Sequence, residues 1–259
     1  MNMEKKFILS RDGVEVLCKH TEPDFGDIRR VVLGVHGIGG HSEEAIQTSI
    51  SEEMELFYSA TLRFDFPGHG ESPVEEFTVH GCVDSLLAVA RYAREQYPEV
   101  EDLCIFATGF GAYITLVALD ELTAMPGKIK LVVQTPSVRM HETLLAMKDL
   151  TIPTYQAMGE TGFYRLKRPL IIPYSTWEEM RDNMALATYD IPMLILHGEE
   201  DKYIKMEDIQ NFRRINERSK LVIIPGTSHR FLEEGAWDMV LDLTRDWFEF
   251  EQVLCCDYE

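Results

Sequence analysis

Short apolar runs alternating with amphipathic stretches constrain this chain more than any other feature of its sequence. Val31 to His36, Ala60 to Phe64, Leu103 to Ala107, Lys130 to Gln134, Met193 to His197 and Leu221 to Ile224 are apolar at nearly every position. A strand that is apolar on both faces must be covered on both faces, and a parallel sheet with helical crossovers achieves this. Helical periodicity supplies the crossovers in Glu43 to Phe57, Val83 to Arg94, Ala112 to Glu121 and Met206 to Ile215. The expected class is therefore α/β, with a mostly parallel central sheet flanked by helices. The 259 residues, 45% of them hydrophobic, suit a single domain spanning 1–259.

Some segments fall outside the alternation. Lys6 to Ser10 and Val14 to His20, joined by Arg11, Asp12 and Gly13, read as an antiparallel hairpin at the sheet edge. Trp237 to Phe250 places Val240, Leu241, Leu243, Trp247 and Phe248 mostly on one side, which reads as a core-facing stripe. Glu249 and Glu251 argue against a membrane-surface helix there. From Pro136 to about Asp190 the repeat stops, and residues 137–190 are expected to form a small lid insertion over the sheet. Within it, Phe163 to Leu166 should pair with Leu170 to Ile172 across Lys167 to Pro169. Ser175 should N-cap a helix reaching about Met184, with Glu178 at the capping-box position.

Charge narrows the partners. A formal net charge of -19 excludes the cationic surfaces that nucleic acid and anionic membranes require, and it repels strongly anionic substrates. No segment approaches the roughly 18 apolar residues of a membrane span, and MNMEKKFILS lacks the apolar run of a signal peptide. A cytoplasmic location is expected. Cys18, Cys82, Cys104, Cys255 and Cys256 show neither zinc-ligand nor disulfide spacing, so reduced thiols are expected, with no metal site and no cofactor.

Ligands of an open parallel sheet bind at the carboxyl ends of its strands, so the turns after the apolar runs carry the functional signal. HGIGG follows the first run at His36 to Gly40, FDFPGHGES spans Phe64 to Ser72, and ATGFGA spans Ala107 to Ala112. HGEED ends at Asp201 and GTSH ends at His229. In this order these landmarks resemble the α/β-hydrolase family over nearly the whole chain. The segment FYRLKRPLIIPYSTWEEM is similar to the small lid of bacterial cinnamoyl or feruloyl esterases and of monoacylglycerol-lipase-like hydrolases. The resemblance implies a Ser-His-Asp hydrolase acting on carboxylic esters.

That family's nucleophile sits in a G-x-S-x-G turn with small flanking residues. Placing Gly109 at the nucleophile position gives Ala107 and Gly111 as flanks; placing Thr108 there gives the bulky Phe106 and Phe110. The family's serine therefore maps onto Gly109. Its acid maps onto Asp201, its histidine onto His229, and its oxyanion hole onto the backbone N–H groups of Ile38 and Phe110. Glu199 and Glu200 read as solvated turn residues, and His36, His69 and His197 as structural hydrogen-bonding histidines. The aromatics Tyr155, Phe163, Tyr164 and Trp177 are candidate substrate-binding residues, with lid core as the competing role.

Glycine offers no side chain for covalent catalysis, so the expected protein is an esterase scaffold that is inactive or strongly impaired. A water held by His229 is an alternative attacking group. A non-catalytic binder of a small ester or acid is the competing class, and a lyase or acyl transferase on the same fold has no feature in its favour. The sequence leaves substrate and oligomeric state open.

Overall fold

The computed structural model describes residues 4–251, so Cys255 and Cys256 lie outside the described residues. In chain order the first half comprises β1 (Lys5–Arg11), β2 (Val14–Thr21), β3 (Arg30–Val35), α1 (Ala45–Leu56), β4 (Ser59–Asp65), α2 (Val79–Gln96) and β5 (Asp102–Thr108). Then come α3 (Phe110–Val117), α4 (Leu119–Thr123), β6 (Lys128–Gln134), α5 (Met140–Lys148), α6 (Ile152–Met158), β7 (Glu160–Phe163), β8 (Leu170–Pro173) and α7 (Tyr174–Asp182). The chain closes with β9 (Met193–Gly198), α8 (Met206–Ile215), β10 (Ser219–Ile224) and α9 (Ala236–Phe250). No helix among the described residues is long and apolar enough to cross a membrane.

An 8-stranded sheet runs in the order β1-β2-β4-β3-β5-β6-β9-β10. Its β1–β2 and β2–β4 pairs are antiparallel and all the others are parallel. Asp12 and Gly13 both take positive φ, 52° and 81°, the backbone of the tight hairpin turn whose twist matches the flanking strands. Alternate strand residues feed opposite cores. Val32, Cys104, Phe106, Val132, Leu194 and Leu196 face one, which α1 and α9 cover through Met54, Val240 and Trp247. Leu33, Ile105, Ala107, Leu131, Val133 and Ile195 face the other, where Leu86, Ile114 and Phe212 of α2, α3 and α8 cover them. This double burial is why the runs are apolar at nearly every position.

The α3–α4 region departs from the expected single helix over Ala112 to Glu121. It starts two residues earlier, and Ala118, at φ −85° and ψ 1°, separates two helices. In the long segment after β6, the ladder joins Glu160–Phe163 to Leu170–Pro173, not Phe163–Leu166 to Leu170–Ile172. Residues 164–169 leave the ladder because Arg168 donates to Ser72 O (2.6 Å) and Leu166 reaches the Gly39 turn. Ser175 does not cap α7. Pro173 occupies the cap position, Tyr174 N donates to Gly159 O (2.8 Å), and the helix ends at Asp182. The carboxylate in this helix that caps is Glu179, and it caps α2, accepting from Val79 N (2.7 Å) and His80 N (3.4 Å). An anion at a helix N-terminus satisfies amides that lack intrahelical acceptors.

Candidate active site

The parallel strands β3, β5, β6, β9 and β10 end on one edge of the sheet, and their turns converge there. After β4, the Asp65 carboxylate ties two turns together, accepting from Ser42 N (2.7 Å) and Glu71 N (2.8 Å). Gly70 packs so closely on it that a Cβ would lie 2.5 Å from Asp65 Oδ2. His36 Nε2 accepts from Phe66 N (3.1 Å), which leaves Nδ1–H to donate to Gly37 O (2.8 Å). His69 Nδ1 lies 2.8 Å from Pro67 O. Burial lowers the pKa of both rings, that of His69 to about 3, so both are neutral scaffold groups at ordinary pH. His197 is also buried and lowered, but its Nδ1 has no hydrogen-bond partner among the described residues.

Gly109 lies between β5 and α3 with φ 50° and ψ −108°, a left-handed backbone that L side chains rarely adopt. Its N–H donates to Gln134 O (2.9 Å) and its carbonyl accepts from Tyr113 N (3.1 Å), so the turn is held on both sides. At Gly111 a Cβ would collide with His36 O and stand 2.6 Å from Val35 O. A small residue two positions after Gly109 is therefore what lets α3 pack against β3. At Gly109 itself a Cβ would meet no atom within 4 Å. The position has room for a side chain and a backbone that resists one.

On the neighbouring strands, the turns carrying Asp201 and His229 are locked together. Gly198 touches the 227–228 backbone, where a Cβ would meet Thr227 O and Ser228 O, and Glu200 N donates to Thr227 O (2.9 Å). Glu199 is more than a solvated turn residue: its carboxylate accepts from Gly226 N (3.0 Å) and braces the same junction. Asp201 Oδ2 then meets His229 Nδ1 at 2.7 Å, while Oδ1 accepts from Tyr203 N (2.8 Å) and Ile204 N (3.1 Å). The Asp201 side chain is fully buried and that of His229 is 16% exposed. Burial pushes the Asp201 pKa up, but the hydrogen bond and charge of His229 with the two N–H groups outweigh it. The net pKa lies below the ordinary carboxylate value. This carboxylate stays ionised and orients the ring, leaving Nε2 as the free nitrogen.

A cavity of about 420 Å³ opens over this edge, lined by Ile38, Gly109, Phe110 and His229 together. Phe110 is the first residue of α3, so its amide has no intrahelical acceptor. Of the aromatics expected to bind substrate, Phe163 lines the cavity. Tyr155 and Trp177 do not. Both are buried core, with Tyr155 O–H donating to Ile172 O (2.8 Å) and Trp177 Nε1–H to His141 O (2.9 Å). A buried Tyr or Trp usually finds a partner for its polar atom, and each of these finds a backbone carbonyl inside its own segment. Tyr164 is 58% exposed and outside the cavity wall. The cavity is instead completed by Met140 and Met147 of α5, by Gln134 at the end of β6 and Ser137 after it, and by Leu232 and Trp237 beyond His229. Those two methionines, at i and i+7, share one face of α5, a signal the sequence reading passed over. Among the described residues, no group of three or more His, Cys, Asp or Glu is placed to hold a metal ion.

Solved structures share this arrangement of the chain. Est1E from Butyrivibrio proteoclasticus, with ferulic acid bound, superposes with a TM-score of 0.80 at 22% identity, covering 96% of this chain and 100% of that one. Alpha/beta hydrolase domain-containing protein 10 from mouse gives 0.74 at 16% identity over 96% and 100% of the two chains. A soluble variant of monoglyceride lipase from Saccharomyces cerevisiae, in complex with a substrate analog, gives 0.73 at 15% identity over 96% of each. No curated protein sequence matches significantly. The family model described as "Alpha/beta hydrolase family" matches residues 32–243, most of the chain, and the chain belongs to that family.

Proposed function

We propose that this chain is a carboxylic-ester hydrolase scaffold of the Ser-His-Asp type whose nucleophile position is held by Gly109, leaving it strongly impaired. The observation that carries the reading is the hydrogen-bonded Asp201–His229 pair on the same cavity as the left-handed turn at Gly109. Weak turnover proceeds through water. The water oxygen attacks the ester carbonyl carbon, His229 takes the proton, and the Ile38 and Phe110 amides stabilise the oxyanion. Collapse expels the alkoxide, which takes the proton back from His229. Est1E with its ferulic acid and the yeast lipase with its substrate analog support phenolic or acyl esters as the substrate class. Residues 137–190 act as a lid in this reading, since Met140, Met147, Phe163 and Leu166 come from it. The buried free thiols of Cys18, Cys82 and Cys104 suit a reducing, cytoplasmic setting.

The test is hydrolysis of a panel of phenolic and short-chain acyl esters by the native chain and by His229→Ala. Slow turnover that disappears in His229→Ala supports water activation; turnover undiminished by the substitution refutes it. A second reading, a pseudo-hydrolase that binds a small ester or acid without turning it over, is favoured by Gly109 itself. It predicts ester binding by calorimetry with no product formed.

A further inference from the structure

We propose that Gln134 and Ser137 form a polar binding point that selects esters bearing a hydroxyl on the carbon next to the carbonyl. The proposal rests on the ester-site reading and names the acid part of the substrate.

Apolar side chains such as Ile38, Met140 and Phe163 share the cavity wall with the polar Glu44, Tyr203, His229 and Arg230. Gln134 and Ser137 line it as well, and both lie against Gly109. Gln134 is the register partner of Thr108, and its carbonyl accepts from Gly109 N (2.9 Å). Ser137 N donates to Gly109 O (3.4 Å). The two residues are only 4% and 2% exposed, yet Gln134 Oε1 and Ser137 Oγ have no hydrogen-bond partner among the described residues. Of the buried side-chain atoms left unpaired among the described residues, these two and Trp237 Nε1 belong to residues lining the cavity, and an apolar residue at 134 or 137 would be less costly to bury. Between them Thr135, a β-branched residue, takes φ 45° and is pinned by its N–H to Leu196 O (2.7 Å). Strain of that kind concentrates where a site must be pre-shaped.

A ligand hydroxyl satisfies both atoms at once, donating to Gln134 Oε1 and accepting from Ser137 Oγ–H. The two atoms are enclosed as they stand, so a rotation about the terminal torsions of both side chains is required to present them to the cavity that their residues line. Because both residues adjoin Gly109, over which the scissile carbonyl carbon sits, the hydroxyl belongs on the adjacent carbon.

The native chain titrated with 2-hydroxyoctanoate and with octanoate reads the preference directly. The two acids carry the same charge, so repulsion by the acidic protein cancels between them. The hydroxylated acid should bind about 10- to 100-fold more tightly, the range expected when a ligand group pairs otherwise unsatisfied buried atoms. In Ser137→Ala and Gln134→Met the preference should fall to about 2-fold, with melting temperature unchanged or raised because each removes an unpaired polar atom. Preference retained in both variants overturns the assignment. Gly109→Ser supplies an independent reading, as kcat/KM on methyl 2-hydroxyoctanoate against methyl octanoate. If it hydrolyses both esters equally, the polar binding point is refuted and the ester-site reading stands. If it hydrolyses neither, both fall.

Discussion

Restoring the side chain at position 109 puts the stability and the chemistry of the site in one experiment. Gly109→Ser forces a serine into φ 50°, ψ −108°, which costs a non-glycine residue about 1–3 kcal/mol. A serine also stiffens the unfolded chain, which offsets about 0.4–1 kcal/mol. No steric term is added, because a Cβ at this position meets nothing within 4 Å. At the middle of each range the net loss is about 1.3 kcal/mol, a melting temperature lower by about 3–5 °C for a chain of this size. Activity should move the other way. In subtilisin, removing the serine costs about 2 × 10⁶ in turnover, so regaining it here should raise ester hydrolysis by several orders of magnitude. Gly159→Ser is the matched control, since Gly159 also has positive φ (77°) and open space around a built Cβ, but lies outside the cavity. Calorimetry of the native chain and both variants, with turnover of the ester panel, completes the test. Folded Gly109→Ser that is no more active than Gly159→Ser on every ester would sink the assignment of Gly109, Asp201 and His229 to one catalytic unit. An unchanged melting temperature would refute the strain argument alone.

Other expectations follow from the same geometry. In the Gly109→Ser background, Asp201→Asn should lower kcat by about 10⁴ by releasing the His229 tautomer, and a loss below tenfold in steady-state kinetics would count against it. Phe163→Ala should raise KM for apolar esters, whereas Tyr155→Phe should cost about 1 kcal/mol in urea unfolding and leave KM alone; a KM effect at Tyr155 would contradict its placement in the core. Stability should decline on acidification below pH 6.5. His36, His69 and His197 have pKa values lowered in the folded state, so between 6.5 and their folded values the unfolded chain binds the extra protons. For His69 this window extends down to about pH 3, each extra proton contributing a slope of about 1.4 kcal/mol per pH unit. Asp201, whose folded pKa is lowered, keeps its contribution above its ordinary value near 3.8 and loses it only below. Urea midpoints that stay constant from pH 7.5 to 4.5 would disprove this.

Local pattern alone determined the sheet, because strands buried on both faces leave an uninterrupted apolar trace and their glycine turns fall at the ends where chain and ligand approach closely. That trace located Gly109, Asp201 and His229 at strand ends, and the flanks Ala107 and Gly111 placed the register before any contact was known. The backbone collision awaiting a Cβ at Gly111 is the physical reason the small residue was there to be read. What tertiary structure decided was everything that depends on contacts distant in sequence. An aromatic at 155 and one at 163 have the same affinity for a core or a pocket, and only the carbonyls of Ile172 and His141 made Tyr155 and Trp177 core residues. Glu178 fitted a local cap, but Glu179 reached a helix 100 residues away because the folded chain set that helix's unpaired amides beside it. The floor of the cavity at Gln134 and Ser137 was equally hidden, since a polar residue next to a strand end reveals nothing until its partners, or the lack of them, are fixed by packing.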